Sequence, residues 1–294
     1  MKKYKILRDT KIEYKSRTLY RIQALKSFSN VKEGDVGGFI ARHYNLSHDG
    51  TCWIFDDAKV YDKAQVRDSA CVYDSACVCD RSQVSDSACI YDSARVYGSA
   101  QVYGSAWIED SASVFGKARV TGNAKISDDV CIHGSACVYD RARIFGDAQV
   151  FGNAKITGDT LVCDSVCVCD DASTSGKAEI FGSACVCGSA EISGDAQVSG
   201  TSVVGRNAKF FGQSAVKTGE WLETPLQIQG SKHFLNMLTP EILKIGCLKK
   251  PLERWLKNYR SIGKRYQYTI AEIEEYEKYI KAFHHRYAEK KGEE

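Results

Sequence analysis

The chain has 294 residues, a net charge of +3 and a hydrophobic content of 44%, so it is long enough to bury a sizeable core. No stretch approaches the roughly eighteen apolar residues of a membrane-spanning helix, and we therefore expect no membrane partner. The N-terminal MKKYKILRDT lacks an apolar run and thirteen cysteines follow, which favours free thiols and a cytoplasmic location.

Charge divides the chain into three parts. Residues 1–48 carry +7, residues 49–216 carry −8 and residues 217–294 carry +4. We predict an N-terminal β-rich cap, a central repeat domain and a C-terminal helical segment with these boundaries.

The N-terminal part has the pattern of short strands at residues 4–7, 18–24 and 38–40, with a turn at Gly37-Gly38. A stack of strands ends in an open edge that invites aggregation unless it is covered. We therefore interpret residues 1–48 as a cap.

The central part repeats every six residues, as in YDSARV, YGSAQV, YGSAWI, EDSASV and FGKARV. The last position holds Val or Ile in 26 of 28 hexads from Ile54 to Val216, and Ala stands two residues earlier in 21 of 27. Residues two apart in a strand share a face, so each hexad predicts a short strand with an apolar inner side. Asp or Gly then begins the corner in every hexad except at Arg206.

A strand and a corner every six residues predict an all-β solenoid, a triangular parallel β-helix with eighteen residues per coil. Twenty-eight hexads make about nine coils stacked about 4.8 Å apart. Position n then lies beside position n ± 18. The full prediction is a parallel β-helix between an N-terminal β cap and a C-terminal α-helical cap.

This stacking rule places like residues together on the surface of the rod. An acidic column is predicted at one corner, as a site for a divalent cation or a basic partner or simply as turn residues: Asp56, Asp74, Asp92, Asp110 and Asp128. Outward aromatic residues form two stripes, which favours a protein interface and homodimer or homotrimer packing. One stripe contains Trp53, Phe55, Tyr73, Tyr91 and Trp107. The other contains Tyr61, Tyr97, Phe115 and Phe151, and His133 lies between the last two.

Four outward cysteines form a two-by-two grid: Cys167, Cys169, Cys185 and Cys187. Vertical neighbours are close enough for disulfides, whereas a flat grid supplies a tetrahedral zinc site poorly. We predict small apolar filler and no metal site, with disulfides or a metal as the alternatives.

The C-terminal part carries helix signals. Thr239-Pro240-Glu241 predicts a helix start, Pro251 opens a second helix that ends at Gly263, and Thr269 to Glu272 is a capping box. The apolar stripe predicted for the last helix is Ile270, Ile273, Tyr276, Ile280, Phe283 and Tyr287. Basic residues cluster around the middle helix as a candidate phosphate-binding patch or a solvated face: Lys249, Lys250, Arg254, Lys257, Arg260, Lys264 and Arg265.

The hexad pattern resembles the left-handed β-helix of hexapeptide-repeat proteins, the superfamily that contains many trimeric acyltransferases. Residues 19–54, with LYRIQALKSF, VKEGDVGGFI and GTCWI, are similar to its uncharacterised YdcK-like branch, which occurs in bacteria and phages. The resemblance implies a left-handed coil. It also implies an alternative function, acyl transfer from acyl-coenzyme A at a cleft between subunits with His133 as general base.

The unbroken repeat has no extruded loop to shape a pocket, so we expect a non-catalytic scaffold or binding protein that needs no cofactor. In a phage or prophage it would sequester a host component in the host cytoplasm. Nucleic-acid binding through the basic C-terminal patch is the second alternative.

Overall fold

The computed structural model describes residues 2–288 and shows a three-sided parallel β-solenoid. Three N-terminal strands precede it, β1 (Tyr4–Tyr14), β2 (Arg17–Ala24) and β3 (Val36–Ile40), followed by a 3₁₀ turn at His43–Asn45. A four-stranded antiparallel sheet and two helices follow it.

The solenoid strands are two residues long. Strands β4 to β14 are Trp53–Ile54, Lys59–Val60, Gln65–Val66, Cys71–Val72, Cys77–Val78, Gln83–Val84, Cys89–Ile90, Arg95–Val96, Gln101–Val102, Trp107–Ile108 and Ser113–Val114. Strands β15 to β23 are Arg119–Val120, Lys125–Ile126, Cys131–Ile132, Cys137–Val138, Arg143–Ile144, Gln149–Val150, Lys155–Ile156, Leu161–Val162 and Cys167–Val168. Strands β24 to β32 are Ser173–Thr174, Glu179–Ile180, Cys185–Val186, Glu191–Ile192, Gln197–Val198, Val203–Val204, Lys209–Phe210, Ala215–Val216 and Glu220–Trp221.

Every third strand belongs to the same side of the rod. The first face runs from β5 to β32 and continues through β3, β2 and β1 as a 13-stranded sheet, the second face runs from β4 to β31 with 10 strands, and the third face runs from β6 to β30 with 9 strands. From β4 to β31, each strand residue pairs with the residue eighteen positions away, as Cys89 does with Cys71 and Trp107. The parallel β-helix is thus confirmed, with about ten turns where the hexad count predicts nine.

The inward positions form one continuous apolar core. The side chains of Ala118 and Val120 are fully buried, and the same holds at almost every equivalent pair. The alanine slot lies next to a corner, where two faces converge and leave little room for a larger side chain, which explains why small residues recur there. Thr174 also occupies an inward position, and its hydroxyl has no hydrogen-bond partner.

Left-handed backbone conformation at the first corner position turns the chain from one face to the next. Asp92 has φ +53° and Gly98 has φ +69°, and Asp, Gly and Arg206 adopt positive φ throughout this position. Only Gly adopts that conformation freely, and Asp tolerates it better than most residues because its short side chain can bond locally. The alternation of Asp and Gly is therefore explained by backbone geometry.

The corner aspartates also link adjacent levels. Oδ2 of Asp140 accepts a hydrogen bond from the backbone N–H of Gly158 (2.9 Å), eighteen residues ahead. Equivalent bonds run from Gly98 to Asp80 (2.9 Å) and from Gly182 to Asp164 (2.8 Å). Each carboxylate thus satisfies a corner amide that has no backbone acceptor.

The start of the rod is closed by the N-terminal strands. The predicted Gly37-Gly38 turn is wrong, because both glycines lie inside β3. They allow close packing: a Cβ on Gly37 would stand 2.6 Å from the carbonyl oxygen of Ile54 and 2.7 Å from the ring of Trp53. Glycine within a strand commonly marks such an approach.

The end of the rod is closed by aromatic side chains and by a sheet that the sequence did not predict. Phe210 and Trp221 are buried and meet edge to face, with ring centroids 6.0 Å apart. Above them lie the antiparallel strands β33 (Gln227–Gln229), β34 (Phe234–Met237), β35 (Ile242–Ile245) and β36 (Leu248–Pro251). Asn236 on β34 donates its side-chain amide to the carbonyl of Ala215 (2.5 Å), which joins this sheet to the rod.

The predicted helix start at Thr239 is wrong, because Thr239, Pro240 and Glu241 form the turn between β34 and β35. Thr239 Oγ1 accepts from the N–H of Ile242 (3.1 Å), as it would at a helix start. The chain then continues as a strand because β35 has paired neighbours on both sides, β34 and β36. A local capping signal is compatible with either outcome.

Two helices pack against this sheet, α1 (Leu252–Arg265) and α2 (Ile270–Ala288). The predicted stop at Gly263 is wrong: Gly263 is buried inside α1, and a Cβ there would stand 2.6 Å from Ile273 Cγ1 on α2. The capping box is confirmed, with Thr269 N–H donating to Glu272 Oε2 (2.7 Å) and Glu272 N–H donating to Thr269 Oγ1 (3.2 Å). Ile270 is 77% exposed at the first turn of α2 and does not belong to the packed stripe.

The corner geometry predicts an unusual order of stability for substitutions of Asp140. Asp140→Gly keeps the positive φ and loses one hydrogen bond, which costs about 1 kcal/mol. Asp140→Ala loses the same bond and adds about 1 kcal/mol of left-handed backbone strain. Denaturant unfolding monitored by circular dichroism should give the highest free energy of unfolding for wild type, a lower one for Asp140→Gly and the lowest for Asp140→Ala. An alanine variant as stable as the glycine variant would contradict this account of the corner.

Candidate functional site

Aromatic rings stack along the first face in the slot that follows each strand. Tyr97 lies on Phe115 with centroids 4.7 Å apart, Phe115 on His133 at 4.8 Å, and His133 on Phe151 at 5.1 Å. Their planes differ by 4°, 13° and 1° respectively. These four residues, the first-face ladder, are all half-buried, so their ring edges still reach the surface.

A second stack lies on the second face. Phe55 and Tyr73 have centroids 4.4 Å apart, Tyr73 and Tyr91 4.6 Å, and Trp107 continues the series at a tilt of 48° to Tyr91. Trp107 is 38% exposed and holds the ammonium group of Lys125 4.9 Å from its ring centroid. Burial raises the pKa of the Tyr73 and Tyr91 phenols, so both stay neutral in ordinary buffers.

Trp53 does not belong to this exposed stripe, although the sequence placed it there. Only 1% of its surface is exposed. Tyr4 and Phe28 approach it edge to face, with centroids at 6.3 and 5.5 Å. The N-terminal cap covers the first level of the rod, and Trp53 is part of the packing between the two. Tyr61 is likewise buried, next to Tyr14 on β1.

The acidic column lies at the corner that follows the second face, as the spacing predicts. Within it, each corner N–H donates to Oδ2 of the aspartate one level below at 3.1–3.4 Å, and Gly146 N–H donates to Asp128 at 2.8 Å. The bonds are longer where a second carboxylate stands at the upper corner, as repulsion between like charges requires. These contacts favour the structural role of turn and link over that of a cation site.

The basic C-terminal patch is divided between β36, which carries Lys249 and Lys250, and α1, which carries the other members. All seven are exposed except the partly buried Lys250. Among the described residues only Arg260 of this set forms an ion pair, with Glu277 at 3.7 Å. The patch therefore presents positive charge at the surface.

Three of the four cysteines of the grid are brought closer than a flat sheet would suggest. The sulfur atoms of Cys167, Cys169 and Cys185 all lie within 4.8 Å of one another. Cys169 is only 8% exposed and the others are half-buried. Burial, followed by the negative charge of neighbouring thiolates, raises the pKa of Cys169 to about 12 and that of Cys185 to about 11. All cysteines of the described chain are free thiols.

A basic groove beside the N-terminal hairpin was missed by the sequence interpretation. Its volume is about 960 Å³, and its charged lining is Arg8, Arg17, Arg42, Lys63, Arg81, Asp62 and Asp80. Arg17 is paired with Asp62 at 2.7 Å. The +7 charge of residues 1–48 hinted at such a surface. These charged residues come together, however, only because the β1–β2 hairpin lies along the first face, and no local sequence pattern predicts that placement.

No protein family model matches this chain, and no curated protein matches it. Neither α1 nor α2 combines the length and apolar character needed to cross a membrane.

The environments of the thiols predict a clear order of alkylation. Thiolate is the reactive form, so the raised pKa and low exposure of Cys169 should slow its reaction. Cys52 is fully buried, and burial raises its pKa too, whereas Cys247 is exposed. With iodoacetamide at pH 8 and a chelator present, peptide mass spectrometry should show Cys247 reacting more than about ten-fold faster than Cys52 and Cys169. Equal rates at Cys169 and Cys247 would show that the grid is open to solvent.

Proposed function

We propose that this protein is a non-catalytic binding protein, a rigid β-solenoid that acts through protein–protein contacts made by its exposed aromatic residues. The observation that carries the proposal is the first-face ladder, in which four rings in register leave their edges at the surface. Preorganised aromatic rings lose little conformational entropy on binding and bury large areas, so they are favoured in interfaces.

The shape of this face fits a second copy of the chain. The ladder is straight, follows the rod axis and is bordered by two-residue strands with no intervening loop. A matching face can lie along it over several levels and bury the ring edges in pairs. We therefore propose a homodimer or homotrimer whose subunits meet along the first face, with the acidic corner outside and available to a basic protein partner. If a phage or prophage encodes the chain, that partner is a host component to be sequestered in the cytoplasm.

The surroundings of His133 support this proposal over acyl transfer. Both faces of the imidazole are covered by phenyl rings, and its backbone N–H donates to the carbonyl of Val150 (2.9 Å) in the regular ladder. His133 lines neither the basic groove beside the N-terminal hairpin nor a second cavity, which is lined by Trp255 and Tyr259 of α1 and by Tyr276 of α2. A general base needs an acceptor held within hydrogen-bonding distance, and an unbroken strand face offers little to hold one.

Introduction of a charge into the ladder tests the interface. Phe115→Lys places an ammonium group at the centre of the contact and should convert the oligomer to monomer in light scattering. Tyr103→Lys is the matched control, because Tyr103 occupies the same slot on the third face without an aromatic neighbour one level away. A monomeric wild type that captures no partner, or equal association of both variants, contradicts the proposal.

The enzyme alternative can be tested separately. If the protein is a non-catalytic scaffold, calorimetry should show no binding of coenzyme A, and acyl-transfer assays should show no turnover by wild type or by His133→Ala. Binding together with activity that the alanine variant loses would replace the scaffold proposal with an acyltransferase.

The exposed basic patch favours one second candidate, binding of nucleic acid by α1 and β36. Contacts to phosphates release counterions, so affinity would fall steeply as salt rises. Arg254→Glu with Lys257→Glu should then abolish binding of a labelled DNA or RNA duplex at low salt. Flat or absent binding by wild type removes this candidate.

A further inference from the structure

The cysteine grid differs from the other outward cysteines of the rod in what its thiols contact. Cys71 and Cys89 are stacked in the same strand slot one level apart, but each thiol turns to the carbonyl two residues earlier, Ser69 at 3.6 Å and Ser87 at 3.7 Å. In the grid, the sulfur atoms of Cys167, Cys169 and Cys185 lie within 4.8 Å of one another. These sulfurs therefore point at one another, while those of the stacked pair point at the backbone.

The fourth cysteine extends the cluster. Cys187 lies one level above Cys169 in the same outward slot and two residues after Cys185 on the same face. Its sulfur lies 3.2 Å from the point where a Cβ on Gly205 would stand, and Leu222 lies at the same distance from that point. The glycine leaves space for the sulfur. Phe151 precedes the grid by one level in the same slot, so apolar groups border it below and above.

The spacing of the sulfurs fits a thiophilic ion. Metal–sulfur bonds of about 2.3 Å require sulfurs about 3.8 Å apart around a tetrahedral centre and about 4.0 Å apart around a trigonal one. The three sulfurs of the cluster already lie within 4.8 Å of one another, which exceeds either spacing by at most about 1 Å. Thiolates without oxygen ligands select soft d¹⁰ ions such as Zn²⁺ and Cu⁺ over Mg²⁺ or Ca²⁺.

We propose that Cys167, Cys169 and Cys185 form a binding site for one thiophilic metal ion, with Cys187 as the fourth donor. Binding forms a metal–sulfur bond at each cysteine and releases the thiol proton to solvent, and no cysteine is oxidised. The site joins two consecutive levels of the first face, directly above the ladder that ends at Phe151, and so ties β23 to β26 by their side chains. This inference does not depend on the proposed interface, because it concerns a different part of the face.

Metal titration of the full-length protein tests the site. The reduced protein, freed of metal by a chelator and desalted under anaerobic conditions, is loaded in separate arms with Zn²⁺ and with Cu⁺, and bound metal is measured by mass spectrometry of the eluted protein. Wild type should retain one ion per chain. Cys185→Ser and Cys167→Ser should each weaken binding by more than about ten-fold, since even indirect changes around metal ligands cost that much. Cys89→Ser, the matched control from the stacked pair, should bind as wild type does.

Each possible result decides the proposal. Thermal unfolding monitored by circular dichroism first confirms that the variants fold, and Cys167→Ser provides a second ligand change if Cys185→Ser does not. Retention of one ion in only one arm identifies the metal. A wild type that retains no ion in either arm overturns the site. So does equal binding by the ligand variants, or equal loss in Cys89→Ser, because either result places the ion elsewhere.

Discussion

The hydrogen bond between successive levels of the rod is the constraint on which the rest of the structure depends. The N–H of each outward residue donates to a carbonyl seventeen positions ahead, as Tyr97 does to Val114 (3.0 Å) and Phe115 to Ile132 (2.9 Å). Because this bond recurs without interruption, every side chain lies directly above the one eighteen residues before it. The core, the corner columns, the aromatic ladders and the cysteine cluster all follow from that single register.

The same regularity shapes the surface of the rod. Because the backbone N–H and C=O groups bond between levels, the faces of the solenoid consist of rows of stacked side chains. Such rows are rigid and repeat about every 4.8 Å, which suits long interfaces and sites made from two levels. We propose that the first-face ladder binds a partner protein and that the cysteine cluster binds a metal ion.

The rod could be predicted because its signal is repeated in every hexad. At its ends the capping box of α2 could also be predicted, but the C-terminal sheet and the contacts of the N-terminal cap could not, because they are specified only once. The strand at Ile242 follows a genuine capping threonine, and only its pairing with β34 and β36 decides the outcome. The burial of Trp53 requires Tyr4 and Phe28, which are distant in sequence. The row of cysteines follows from the period, but the convergence of the three sulfurs depends on side-chain rotamers that the period does not fix.

Removal of one complete level tests most directly the claim that the eighteen-residue register determines the structure of the rod. Deleting eighteen residues, 104–121, leaves every remaining side chain above a partner from the same slot, whereas deleting seventeen, 104–120, turns all later inward residues outward. Denaturant unfolding of the two variants should show a cooperative transition and native strand content for the first, and neither for the second. Equal stability of the two deletions, or an unfolded eighteen-residue deletion, would contradict the account.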